Sequence, residues 1–98
     1  MKKRNIYFDH SATTPIDQAV AKKIFEYMTD KFGNASSVHF FGHEAKKALE
    51  KARKQVATLI NADSTEIIFT SGGTESNNLA LKGVALRNRK KGNHIIST

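Results

Sequence analysis

The chain has 98 residues, 39% hydrophobic and 26% charged, a globular composition with room for at most one domain. It has no cysteine, which excludes a disulfide framework, a thiolate zinc site and a cysteine nucleophile within these residues, and no metal site is predicted. No apolar run approaches the ~20 residues needed to span a bilayer, and no signal-peptide core follows Met1. We therefore expect a cytoplasmic protein with no membrane partner.

The formal net charge is +7, which raises nucleic acid or an acidic protein as a partner. Most basic residues of the first two predicted helices read as solvated outer faces: Lys22, Lys23, Lys46, Lys47, Lys51, Arg53 and Lys54. A second basic cluster falls at a helix end, where cations are stabilised by the helix dipole: Arg87, Arg89, Lys90 and Lys91. This distribution argues against a nucleic-acid binder.

The first half of the chain predicts an arm followed by two helices. Residues 1–15 are polar or irregular and form the arm. Apolar residues recur at a helical period over residues 17–29 and again, most clearly, over residues 44–60. The loop between them, residues 32–42, is rich in Gly, Asn and Ser yet carries three phenylalanines, so it is either pinned near a site or merely anchored on the core.

The second half predicts a βαβ unit with parallel strands. Residues 67–69 and 94–98 read as strands, and residues 74–87 read as the helix between them. A right-handed crossover is then expected. Because parallel strands normally belong to larger sheets covered on both faces, we expect residues 16–98 to be the start of a larger, here incomplete, α/β domain.

The turn between the first strand and this helix predicts an anion site. Gly72 and Gly73 allow a sharp turn and close approach of a ligand, and the helix start offers unpaired N–H groups and a positive dipole. The dipole contributes only about 0.3 to 1 kcal/mol. Hydroxyls must therefore help, and three are available: Ser71, Thr74 and Ser76. The alternative is a plain strand-to-helix connection with a good N-cap. The motif matches neither a Walker A loop nor a dinucleotide fingerprint.

Three stretches together resemble one family: YFDHSATTP at residues 7–15, FGNASSVH at residues 32–39 and FTSGGTESNN at residues 69–78. In this order they are similar to the amino-terminal portion of a cysteine desulfurase of the NifS/IscS type, a pyridoxal-phosphate enzyme of the class-V aminotransferase group. The resemblance covers essentially the whole chain. It implies the start of the large α/β domain of a fold-type I PLP-transferase.

The resemblance also implies roles for particular residues. Gly73 and Thr74 match the positions that hold the phosphate of pyridoxal 5'-phosphate. Four residues match segments on the substrate side of the pocket: Ala12, Thr13, Asn34 and His39. A lone histidine such as His39 is more often structural than catalytic. One departure is Ala35, where many relatives have proline, so the loop is expected to be less rigid.

For the whole protein the resemblance implies a homodimer that converts L-cysteine to L-alanine. The sulfur, held as an enzyme persulfide, would pass to an acceptor protein for iron-sulfur cluster assembly or thiolation. The Schiff-base lysine and the persulfide cysteine of the family would lie beyond Thr98, so no catalytic residue is assigned here and the isolated chain is expected to be inactive. Alternatives are a non-catalytic module that pairs with a full-length homologue, and a fragment of a selenocysteine lyase or another class-V aminotransferase.

Overall fold

The computed structural model describes residues 4–97, which contain three α-helices and one short 3-10 helix. The helices are α1 (Gln18–Thr29), α2 (Phe40–Leu59) and α3 (Gly73–Arg87), and the 3-10 turn is Ser64–Glu66. The chain divides into two compact units after Ala52, within α2. No helix of the described residues is both long and apolar enough to cross a membrane.

Helix α1 begins one residue later than predicted because Asp17 is its N-cap rather than part of its first turn. The Asp17 carboxylate accepts hydrogen bonds from the N–H groups of Ala19 at 2.8 Å and Val20 at 3.4 Å. Such a cap satisfies two of the four N–H groups that a helix start leaves unpaired. The prediction of a helix ending at Thr29 is confirmed.

Helix α2 begins at Phe40, four residues before the predicted start, so the loop assignment of Phe40 and Phe41 was wrong. The reason is a cap that the apolar pattern does not reveal. The ring Nδ1 of His39 accepts the N–H of Gly42 at 3.4 Å, and the His39 carbonyl accepts the N–H of His43 at 3.1 Å. These two bonds extend the helix back to the aromatic pair.

Close backbone contacts hold the preceding loop against the start of α2. A Cβ added to Gly33 would lie 2.4 Å from the carbonyl oxygen of Phe41, and one added to Gly42 would lie 2.1 Å from that of Ser37. The rings of Phe32 and Phe41 stack at 5.2 Å. The glycine contacts and the Phe32–Phe41 stack therefore hold the loop against the first turn of α2, although its three phenylalanines are exposed rather than buried in a core.

Helix α2 ends in a Schellman motif. Asn61 has a φ of 54° and donates its N–H to Thr58, while the N–H of Ala62 reaches the carbonyl of Ala57 at 2.9 Å. Asparagine is one of the few residues that adopts this left-handed conformation at low cost. The predicted stop near Ile60 is confirmed.

The predicted βαβ unit is not confirmed, because residues 4–97 contain no β-strand. Ile67 is extended, with φ −93° and ψ 123°, but residues 67–69 have no neighbouring strand to exchange backbone hydrogen bonds with. Instead, Nη1 of Arg53 donates to the carbonyl of Ile67. Residues 94–97 are likewise outside any strand, and Thr98 lies outside the described residues.

The faces predicted to be buried are largely exposed. Ala57, at 3% exposure, is the one buried hydrophobic residue of the described chain. Side chains of the apolar stripes stay about half exposed, including Val20 at 52% on α1 and Leu79 at 47% on α3. The stripes have the helical period that was predicted, but no described element covers them.

The contact between Gly42 and Ser37 generates a stability prediction. Gly42→Ala should unwind the first turn of α2, since relieving a contact of this kind costs about 1–3 kcal/mol. Gly83→Ala is the matched control because a Cβ there meets nothing within 4 Å, and alanine favours a helix over glycine by about 1 kcal/mol. Amide hydrogen exchange at His43, whose N–H bonds the His39 carbonyl, should accelerate only in the first variant. Unchanged exchange would contradict the contact.

Candidate functional site

The backbone bends at Ser71 and Gly72, directly before α3, so the sharp turn that was predicted is present. Gly72, the N-cap, has φ 164° and ψ −177°, an extended conformation that any residue adopts. No described glycine lies in the left-handed region, so the bend itself does not require glycine. A Cβ at Gly72 or Gly73 would meet no atom within 4 Å. What the glycines leave is free space at the helix start.

The first N–H groups of α3 have no acceptor. Gly72 supplies no side-chain cap, and the first backbone bond at this end runs from the N–H of Ser76 to the carbonyl of Gly72 at 3.1 Å. Within residues 4–97, the N–H groups of Gly73, Thr74 and Glu75 have no hydrogen-bond partner. Such groups, together with the positive end of the dipole, form a site that favours an anion.

Two of the three predicted hydroxyls are occupied inside the turn. Ser71 Oγ donates to Glu75 Oε2 at 2.6 Å. Thr70 Oγ1 can donate to the Gly72 carbonyl at 3.2 Å and shares a 2.6 Å bond with Ser76 Oγ in which either hydroxyl can be the donor. Ser71 and Ser76 are thus both engaged within the turn.

Thr74 differs from its neighbours, because no partner is recorded for its hydroxyl among the described residues. It lies in the first turn of α3, beside the unpaired N–H groups, and it is exposed. The uncommitted donors are therefore the hydroxyl of Thr74 and the three N–H groups of Gly73, Thr74 and Glu75. A tetrahedral oxyanion offers an acceptor to each of them.

The carboxylate of Glu75 also lies at this helix start. It accepts both the hydroxyl and the N–H of Ser71, and these bonds, the hydroxyl first, lower the pKa of Glu75 below its ordinary value. Glu75 is therefore ionised at neutral pH and stabilised by the helix dipole. It adds a negative charge near the site, so an anion must be bound by donors strong enough to offset that repulsion.

Ala12 and Thr13 lie in a hydrogen-bonded turn of the arm. Their N–H groups donate to the carbonyl of Asp9 at 3.1 and 3.3 Å. The hydroxyl of Tyr7 is within 2.8 Å of the same carbonyl and 3.0 Å of that of Thr13, and the ring of His10 contacts the Tyr7 ring edge-on at 4.9 Å. The turn is exposed, and its geometry is fixed by its own backbone bonds.

Asn34 and His39 lie together in the loop before α2. The Asn34 side chain accepts the N–H of Ser36 at 2.9 Å, and its carbonyl accepts that of Ser37 at 2.9 Å. His39 caps α2 through Nδ1, which leaves the proton of the neutral ring on Nε2. Among residues 4–97, no hydrogen bond or ring contact joins this loop to the Asp9 turn.

Sequence reasoning missed Arg53, which it assigned to a solvated face. Its guanidinium carbon lies 5.2 Å from the centre of the Phe69 ring, Nη1 bonds the Ile67 carbonyl, and the residue is half-buried. A signal was present. Arg53 follows Leu49 by four residues and precedes Val56 by three, which puts it on the apolar stripe of α2.

A groove of about 580 Å³ runs along the carboxyl half of α3. Its lining is mostly apolar and includes Leu81, Val84 and Ile95. None of the predicted site residues lines it. The groove is an uncovered apolar face and lacks convergent donors, so the glycine turn remains the better candidate site.

Residues 6–98 match the family described as Aminotransferase class-V. The chain belongs to this family. It is 55% identical over 96 residues to the cysteine desulfurase IscS of Neisseria meningitidis and 60% identical over 95 residues to that of Colwellia psychrerythraea strain 34H. These alignments cover 97% and 94% of this chain, but the chain spans only 24% of the length of each relative.

A solved structure described as a NifS-like protein matches 89% of this chain with a TM-score of 0.83 and 41% identity, and the match covers 24% of that protein. The resemblance to NifS/IscS-type desulfurases is thus confirmed, and the class-V family is one of enzymes. The helical architecture agrees with the start of a PLP-transferase fold, although the strands are not formed here.

The bonds between Ser71 and Glu75 generate a pH prediction. A lowered pKa means that the stabilisation is present at neutral pH and is lost as the pH falls through the pKa of Glu75, below the ordinary range of a glutamate. Ser71→Ala should raise the Glu75 pKa, measured by carbon NMR of the carboxyl group. Glu26, whose pKa is lowered by Lys23 and Lys31, is an internal reference and should not change. An unaltered Glu75 pKa would contradict the bond.

Proposed function

We propose that this chain carries the cofactor-phosphate site of a pyridoxal 5'-phosphate-dependent cysteine desulfurase, with Gly73 and Thr74 as the binding residues. One observation carries the proposal. The start of α3 has three unpartnered N–H groups and an uncommitted hydroxyl, and they border free space where glycines replace side chains. Relatives named cysteine desulfurase, 55–60% identical over nearly all of the chain, support the same assignment.

A cofactor phosphate fits the turn. The N–H groups of Gly73, Thr74 and Glu75 and the Thr74 hydroxyl can donate to the phosphate oxygens, and charge-assisted bonds of this kind are stronger than neutral ones. The negative charge of Glu75 opposes phosphate binding. Its carboxylate is hydrogen-bonded to the N–H and the hydroxyl of Ser71, which hold it within the turn. When bound, pyridoxal phosphate acts as an electron sink for the substrate. These residues would hold and orient it.

For the whole protein we propose the conversion of L-cysteine to L-alanine, with the sulfur passed to an acceptor protein. The protein would be a cytoplasmic homodimer acting in iron-sulfur cluster assembly or thiolation. Residues 1–15 would be an arm and residues 16–98 the first part of the cofactor-binding domain. In the complete domain, residues 67–69 and 94–98 would pair in the parallel sheet of a βαβ unit. The 98-residue chain alone would not release sulfide from cysteine.

The phosphate site is tested in a graft, in which this chain replaces the matched residues of the Colwellia relative. Thr74→Ala should raise the dissociation constant of pyridoxal phosphate roughly 10- to 100-fold, because a hydrogen bond to a charged group contributes about 1.5–3 kcal/mol. Fluorescence titration measures the affinity, and phosphorus NMR reports the bound phosphate. Thr74→Ser restores the hydroxyl and should recover most of the loss.

Thr58→Ala is the matched control for this experiment. Thr58 is an exposed threonine of α2 whose hydroxyl bonds the carbonyl of Lys54, away from the turn. It should leave the cofactor affinity unchanged. The phosphate assignment is wrong if Thr74→Ala binds the cofactor as tightly as Thr58→Ala, with the same phosphorus resonance.

We also propose that Ala12, Thr13, Asn34 and His39 border the substrate. For His39 the cap and the proposed role can be separated. His39→Asn should retain the cap of α2, since asparagine is a favoured N-cap, whereas His39→Ala should lose about 1 kcal/mol of helix stability. In the graft both variants should desulfurate L-cysteine more slowly than the parent. Full activity of His39→Asn would show that His39 only caps α2 and has no role at the substrate.

A second candidate is a non-catalytic module that pairs with a longer homologue, favoured by the exposed apolar faces of α1 and α3. Light scattering of the chain with and without the Colwellia relative distinguishes the two. A stable complex with the intact relative favours the module. A fragment of a selenocysteine lyase or another class-V aminotransferase would share the phosphate site. Because the 98-residue chain alone is expected to be inactive, the whole protein is assayed, and its rates on L-selenocysteine and L-cysteine separate these families.

A further inference from the structure

We propose that Arg53 is a positioning residue for the phosphate turn. Its guanidinium clamps the extended residues 67–69 to α2, and this fixes the direction in which the N–H groups of Gly73 and Thr74 point. The inference rests on the proposed function, since the ligand of the turn is the phosphate proposed above. Arg53 itself would not touch the cofactor.

The first contact of the clamp is a hydrogen bond from Nη1 of Arg53 to the carbonyl oxygen of Ile67. Among residues 4–97 no backbone N–H bonds this carbonyl, so the guanidinium is the donor that satisfies it. Bonds from a charged donor are the stronger kind. Ile67 and Arg53 are both half-buried, which limits competition from water.

The second contact is the stacking of the guanidinium on the ring of Phe69, with 5.2 Å between Cζ and the ring centre. The guanidinium thus contacts the backbone of Ile67 and the side chain of Phe69, two residues further along the chain. One planar side chain therefore holds both residues at once. Lysine cannot stack and donate in the plane in this way.

Side-chain bonds join the clamped segment to the site. Thr70, directly after Phe69, donates to the carbonyl of Gly72 at 3.2 Å and shares a 2.6 Å bond with Ser76 in the first turn of α3. A rotation of the segment would therefore move the N-cap and the helix start together. Thr70 therefore connects the clamped segment to the helix start that carries the phosphate donors.

Arg53 differs from the other cations of its helix. It precedes Ala57 by four residues, on the same face of α2, and Ala57 is the buried hydrophobic residue of the described chain. Lys51 and Lys54 are exposed. Charge alone does not distinguish these three residues, so the proposed role depends on the face that Arg53 occupies.

The test uses the graft. Arg53→Met, which keeps the length but removes both contacts, should raise the dissociation constant of pyridoxal phosphate about tenfold. Arg53→Lys should recover only part of that loss. In the cofactor-free protein, selectively labelled glycine and threonine amides of Gly72, Gly73 and Thr74 should shift in both variants. Lys54→Ala, a loss of charge on the exposed face, should change neither the affinity nor these resonances.

Phe69→Leu is a second, milder variant in case the Arg53 variants do not fold. It removes the stacking ring and leaves the hydrogen bond from Arg53 to the Ile67 carbonyl in place. It should weaken cofactor binding less than Arg53→Met. Combined with Arg53→Lys, its effects should be less than additive, since both changes remove the same stacking contact. The proposal is overturned if the folded Arg53 variants match Lys54→Ala in affinity and amide shifts, or if the effects of Phe69→Leu and Arg53→Lys simply add.

The two hypotheses fail in different ways. Suppose that Thr74→Ala leaves cofactor binding intact but Arg53→Met shifts the amide resonances of Gly73 and Thr74. The phosphate assignment is then wrong, and the positioning role of Arg53 is supported. If Thr74→Ala weakens binding while the Arg53 variants leave both readouts unchanged, the phosphate site stands and the clamp falls.

Discussion

The start of helix α3 is the constraint on which the rest of the site depends. A helix leaves its first N–H groups unpaired, and most protein helices satisfy some of them with a capping side chain. Gly72 cannot do so, and the neighbouring polar side chains bond one another instead. Ser71 is paired with Glu75 and Ser76 with Thr70, so these side chains do not cap the helix and its backbone donors remain free. A set of free donors at a helix start is what an anion site requires.

Much of the fold could be predicted from the sequence, because helical periodicity is a strong signal. The extents of α1 and α3 were predicted to within a residue or so, and the stop of α2 followed from its turn residues. The start of α2 was wrong, since the cap comes from a histidine ring, which is not among the favoured capping residues. Whether residues 67–69 form a strand could not be predicted from the same signal. Apolar periodicity identifies an extended segment, whereas a strand also requires a neighbour, and residues 67–69 have none in the described chain.

At the candidate site the sequence correctly identified the glycine turn but not the use of its side chains. Ser71, Thr74 and Ser76 look equivalent in sequence, yet only Thr74 has an uncommitted hydroxyl. The difference arises from partners four to six residues away, whose pairing depends on three-dimensional geometry. Arg53 was misassigned for a related reason. Long cationic side chains are usually solvated, and only the spacing from Leu49 and Val56 shows that this one lies on the packed face.

The near absence of buried side chains, with Ala57 at 3% exposure, has a thermodynamic consequence for the isolated chain. The heat capacity increment of unfolding and the denaturant slope both scale with the surface that unfolding exposes. Here most of the apolar surface is exposed already. Heating should therefore give a shallow, weakly cooperative loss of helix, resembling the melting of a peptide more than that of a domain. Helix content alone would then say little about whether the glycine turn has its native geometry.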